Sequence, residues 1–91
     1  MVVGEETPSG WFQIRDREDP DGRVRLILIG HLDVPAVHQL ARRLDRLRRS
    51  RRAACVDLSR LARIEPSGAE TILSMLSEAR RIGWNLEISF V

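Results

Sequence analysis

The sequence predicts a small α/β domain: a mixed sheet of about four strands in the order β-β-α-β-α-β, packed with two amphipathic helices. Three observations lead there. Two strand-like runs at the start are separated by Asp19-Pro20-Asp21-Gly22, where proline presets φ and glycine accepts a positive φ. Beyond them, apolar runs alternate with segments of helical periodicity, which favours parallel strands joined by right-handed crossovers. Each helix also opens close behind a strand. One junction is Gly30-His31-Leu32-Asp33, and the other runs from Asp57-Leu58-Ser59 to Glu65-Pro66-Ser67-Gly68.

Residues 1–10 are small and polar, with Gly4, Pro8 and Gly10, and read as a flexible N-terminal arm; residues 11–91 read as a single domain. Trp11 to Arg15 suits an edge strand, and Arg23 to Ile29 its hairpin partner. Leu26-Ile27-Leu28-Ile29 is apolar on both faces, which predicts a central strand covered on both sides. Gly30 ends that strand. Asp33 is a good helix N-cap, and Pro35 fits the first turn. Val37, Leu40, Ala41, Leu44 and Leu47 make one apolar stripe, opposite Arg42, Arg43, Arg46 and Arg49.

Ala53 to Leu58 reads as a third, buried strand. The second helix should run from Ser67 to Ile82, with Ala69, Ile72, Leu73, Leu76 and Ala79 inward and Gly83 as its stop. Ser67-Gly68-Ala69-Glu70 has the form of a capping box. Trp84, Leu86, Ile88 and Phe90 alternate with polar or smaller residues as a half-buried strand.

Composition narrows the function. The chain has 91 residues and a net charge of only +2, with all fifteen basic residues arginine. A single cysteine forms no internal disulfide, and Cys55 lies in an apolar run, so a reducing, cytoplasmic setting is expected. No apolar run is long enough to span a membrane. His31 and His38 stand seven apart without further ligand spacing, so no metal is expected, and no cofactor either. Gly-x-Ser-x-Gly is absent, and a phosphate loop that needs lysine is excluded. No catalytic signature stands out in the residues, and an enzyme activity intrinsic to the chain is the least favoured reading.

Three landmarks in order carry a resemblance. Gly30, Leu32 and Asp33 form a strand-end Gly-x-Leu-Asp. Asp57, Leu58 and Ser59 end a second strand. Glu65 and Gly68 frame the opening of the second helix. Together, over residues 11–91, these resemble the STAS family, the sulfate-transporter and anti-sigma-antagonist domain. Two departures stand out. Family members switched by phosphorylation carry Ser or Thr directly after the acid; here that position is Pro66, which has no hydroxyl, and Ser67 stands one residue further on. The family also usually continues beyond the last strand found here, so relative to it the chain is truncated at its C-terminus. The sheet edge left open would suit a partner or a second copy in a homodimer.

The resemblance implies a non-catalytic, anti-sigma-antagonist-like module. It would dock on a serine-kinase-like anti-sigma ATPase and so regulate transcription, without the usual phosphorylation. The implied contact residues are Asp33, Ser59, Arg60, Arg63, Glu65, Pro66, Ser67 and Gly68, with Ser67 as the candidate phosphate acceptor. Each has a plainer reading alongside: Asp33 and Ser67 also serve as helix caps, and Glu65 and Glu70 would repel a phosphate on Ser67 while Arg63 would attract it. An alternative with the same fold is the accessory subunit of a phospholipid-transporting ABC system, docked on its ATPase. A third reading is nucleic-acid binding through the Arg-rich helix. Asp45, the small net charge and the lack of interleaved aromatics speak for a solvated helix face instead, so no nucleic acid is expected.

Overall fold

The computed structural model describes residues 11–90; the N-terminal arm expected over residues 1–10 lies outside them. The opening hairpin joins β1 (Phe12–Glu18) to β2 (Val24–Leu32). Its turn closes as the sequence dictates. Gly22, at φ +87°, donates its N–H to the Asp19 carbonyl at 2.9 Å, and the Asp21 carboxylate accepts from the Arg23 N–H at 3.0 Å. The chain continues through α1 (Val34–Arg49), β3 (Ala54–Asp57), β4 (Leu61–Ile64), α2 (Pro66–Ile82) and β5 (Leu86–Ser89). The sheet order is β1-β2-β3-β5, with β1 antiparallel to β2 and the remaining pairs parallel; β1 and β5 form its edges.

β2 organises the sheet. Its first half, Val24 to Ile27, pairs with β3. From Gly30 on it pairs with β4, and the register shifts between Gly30 and His31, where β4 carries the extra residue Ala62. The sequence places the end of this strand at Gly30 and no strand between Leu58 and Ser67. The structure instead carries β2 on to Leu32 and adds Leu61–Ile64 as a fifth strand. The extra residue Ala62 of β4 shifts the register without ending the ladder, beside Gly30 at φ +106°.

One face of the sheet carries the core. Leu26, Leu28 and Leu32 of β2, Ala54 and Val56 of β3 and Leu86 of β5 meet Ala36, Val37, Leu40 and Leu44 of α1 and Ile72 and Ala79 of α2. Burying each of the larger side chains stabilises the fold by about 1.5–3 kcal/mol. β2 is not covered on both sides as its apolar run predicts. Ile27 and Ile29 point away from this core and are only half-buried, with no helix over them among the described residues. The long side chains of that face do part of the covering, since Arg25 stands between Asp19 and Asp57.

The helix ends differ from expectation in two informative ways. α2 begins at Pro66 and its cap is Glu65, so the capping box over Ser67–Glu70 does not form. The residue before a proline is driven into an extended conformation, and Glu65 lies at φ −81°, ψ 154°, which makes it the cap and leaves Ser67 inside the first turn. α2 is also rotated relative to the expected stripe: Gly68, Ile72 and Ala79 face inward while Ala69 and Leu73 are exposed. At the far ends, Gly83 closes α2 in the left-handed conformation (φ +77°), while Arg51 takes that conformation after α1 (φ +56°). Trp84 then packs against the core and donates its indole N–H to the Arg52 carbonyl at 2.7 Å. Phe90, expected inward, is exposed.

Candidate functional site

Parallel strands joined by helices bring strand C-ends and helix N-termini to one pole, where such sheets gather their ligands and partners. Both junctions singled out in the sequence lie there. At the first, the ring and carbonyl of Trp11 occupy the space that a Cβ on Gly30 would need, and that carbonyl accepts the His31 N–H at 2.9 Å. Asp33 then caps α1: its carboxylate accepts from the Ala36 N–H at 3.1 Å, and its carbonyl accepts from Val37 at 2.9 Å.

The second junction is built around Asp57, which is only 9% exposed. Its Oδ1 accepts from the Ser59 N–H at 2.9 Å and from the Ser59 hydroxyl at 2.6 Å, and Arg25 stands 3.5 Å from its Oδ2. Burial pushes this carboxyl up, but the Ser59 hydrogen bonds and the Arg25 charge outweigh it and hold it below the ordinary carboxylate value. Burial likewise pushes the Cys55 thiol up, away from the thiolate needed for reactivity. After the turn closed by the Leu61 N–H on the Leu58 carbonyl, β4 leads to Glu65, whose N–H reaches the Leu32 carbonyl at 3.2 Å. Gly68 comes so close that an added Cβ would lie 2.7 Å from that same carbonyl.

The structure therefore gathers Asp33, Glu65 and Gly68 around Leu32. Arg63 stands beside His31 in the β2–β4 ladder. Pro66 and Ser67 form the exposed first turn of α2, and the Ser67 carbonyl accepts the Thr71 hydroxyl at 2.9 Å. Ser59 and Arg60 lie in the exposed turn, but the Ser59 hydroxyl is directed back onto Asp57.

Three residues outside the expected contact set lie at this pole, and a fourth stands midway along α2. Val34 (49% exposed) opens α1, Ile64 (40%) ends β4 opposite Leu32, Leu73 (65%) lies two turns into α2, and Phe90 (70%) follows β5. With Trp11 they make five of the six large hydrophobic residues exposed among the described ones; the sixth, Ile82, ends α2 at the opposite pole. Trp11, Val34, Ile64 and Phe90 thus put most of this exposed apolar surface at one pole, and such exposure marks an interaction surface. The signal in the sequence is an apolar residue at a place where no core position is due, as at Val34 between the cap Asp33 and Pro35.

Residues 16–91 match the family described as "Mlab, STAS domain". The chain belongs to the STAS family. Solved structures agree in fold. The unphosphorylated anti-sigma factor antagonist SpoIIAA is 18% identical at a TM-score of 0.66, over 84% of this chain and 71% of its own. An antisigma-factor antagonist STAS domain from Rhodobacter sphaeroides is 18% identical at 0.66, over 91% of this chain and 90% of its own. The protein Mglu is 24% identical at 0.68, over 81% of this chain, which spans only 18% of Mglu. A comparison with curated protein sequences gives no match. Among the described residues, no helix is long and apolar enough to cross a membrane.

Proposed function

We propose that this STAS domain is a non-catalytic docking module of the cytoplasm, and that it binds a serine-kinase-like anti-sigma ATPase through the pole where both helices begin. The exposed apolar residues Val34, Ile64 and Phe90 at that pole, with Leu73 further along α2, carry the reading. A surface of that kind contributes through burial of apolar area, with charged residues at its rim setting specificity. Asp33, Arg60, Arg63, Glu65 and Ser67 stand as that rim, with Pro66 and Gly68 giving the start of α2 its shape.

Pro66 removes the hydroxyl that the resemblance implies as the switch, so docking here is constitutive at that position. Titration calorimetry against a purified anti-sigma ATPase of the source cell tests the reading. Binding that weakens on Leu73→Asp, with the fold intact, supports it; absence of binding, or indifference to that change, removes it.

The second reading, an accessory subunit docked on the ATPase of a phospholipid-transporting ABC system, is favoured by the family description, which carries the name Mlab. It uses the same pole. Co-purification with an ABC ATPase in place of the anti-sigma factor selects it.

A further inference from the structure

Opposite the docking pole, where both helices end, the surface has a different character. Arg48, Arg49 and Arg51 line a cleft of about 570 Å³ together with Ile82, Trp84 and Asn85. That volume lies within the ~300–1,000 Å³ common to ligand-binding clefts. No acidic side chain lines it. Asp45 is bound by both Arg48 and Arg49, so one carboxylate is shared between two guanidiniums. Arg51 has no ion pair among the described residues.

Arg51 is also conformationally unusual. It follows the cap of α1 in the left-handed region, and its N–H reaches the Arg48 carbonyl at 3.1 Å. α2 fills the corresponding place with Gly83, which adopts it freely. A residue bearing a Cβ is less stable there by about 1–2 kcal/mol. Local strain of this kind is characteristic of functional positions.

We propose that this cleft is a second docking site, for a short acidic peptide segment that carries an apolar residue. The arginines supply charge complementarity to carboxylates, and Ile82 with Trp84 supplies an apolar wall. The surroundings set the length of the ligand. The adjoining groove, which shares Arg48 and Trp84, contains Asp45 and Glu78. Glu18 and Glu87 pair with Arg52 and Arg23 at the same end of the sheet. A duplex or an anionic bilayer extending past the cleft meets those carboxylates, whereas a short segment does not. The site is separate from the one in the proposed function, so either can fail without the other.

The test follows the indole N–H resonances by NMR while the protein is titrated with a short peptide of alternating glutamate and leucine. Parallel titrations use a glutamine–leucine peptide, duplex DNA and phosphatidylglycerol vesicles. The Trp84 resonance is expected to shift with the acidic peptide, and Arg49→Glu with Arg51→Glu to weaken binding about tenfold or more. Asn85→Asp, which adds a carboxylate to the cleft without removing an arginine, weakens it as well, while Arg63→Glu at the other pole leaves it unchanged. Equal binding of the glutamine peptide overturns the proposal. So does binding indifferent to the cleft variants, or tighter binding of DNA or vesicles than of the acidic peptide.

Discussion

The two strand-to-helix junctions sit side by side on Leu32 but are held in different ways. At the first, the fixing group is at the helix itself, where the Asp33 carboxylate satisfies the Ala36 N–H. At the second, the cap Glu65 makes no side-chain hydrogen bond to the helix. The aspartate that anchors this junction, Asp57, ends β3, two elements before α2, and is tied to Ser59 and Arg25. Close packing of Gly68 on Leu32 then fixes where α2 begins. The second helix start is thus positioned from behind and beneath, and by the ring of Pro66, which leaves the exposed Ser67 side chain without a structural task among the described residues. A surface can be held rigidly by groups that do not themselves face the partner.

Leu32→Ala breaks both junctions at once. Leu32 is fully buried, and its truncation should cost about 2–5 kcal/mol in a urea unfolding titration. Gly68→Ala strikes from the side of the second junction. The added methyl meets the Leu32 carbonyl, so a loss of about 1–3 kcal/mol is expected, with the amide resonances of Leu32 and Asp33 shifting along with those of the first turn of α2.

Asp57→Asn should cost about 1.5–3 kcal/mol at neutral pH, where a charged hydrogen-bond acceptor is lost. Its carboxyl is held below the ordinary value in the folded state. Its contribution is therefore complete above the unfolded value of about 3.9 and disappears as the pH falls through the lower folded value. Wild type and variant should converge in stability on acidification below about pH 4.

The smallest effects separate the caps. Asp33→Ala is expected to cost about 1 kcal/mol, while Glu65→Ala stays within about 0.5 kcal/mol because no cap hydrogen bond is lost. Equal losses at the two caps would contradict the distinction between the junctions.

The order of helices and strands, the hairpin turn, the α1 stripe and both junction motifs were legible in the residues, because each rests on a local rule of turn, cap or periodicity. β4 was not. Leu61–Ile64 is only four residues long and mostly exposed, and it becomes a strand only because the end of β2 offers it a ladder. At the start of α2 two local rules compete, a capping box at Ser67 and a proline-led start at Pro66. The second prevails because proline fixes its own backbone and that of Glu65. The rotation of α2 was ambiguous, since Ile72 and Leu73 are adjacent and equally apolar. The contact of Gly68 with Leu32, a tertiary fact, resolves it. For the candidate site, the charged residues proposed as its rim come from the motifs, but the apolar set required knowing which hydrophobic residues the core leaves out.

The change of partner along β2 has a consequence for motion. The strand is joined to β3 over Val24–Ile27 and to β4 from Gly30 on. The last residues of β2 can part from β4 while the bonds to β3 stay closed, so the pole has its own opening equilibrium, shallower than global unfolding. Hydrogen–deuterium exchange should accordingly run faster along Arg63 and Ile64 than along Cys55 and Val56. A bound partner should slow the first pair and leave the second untouched, so that occupancy registers as protection in a region far cheaper to open than the core.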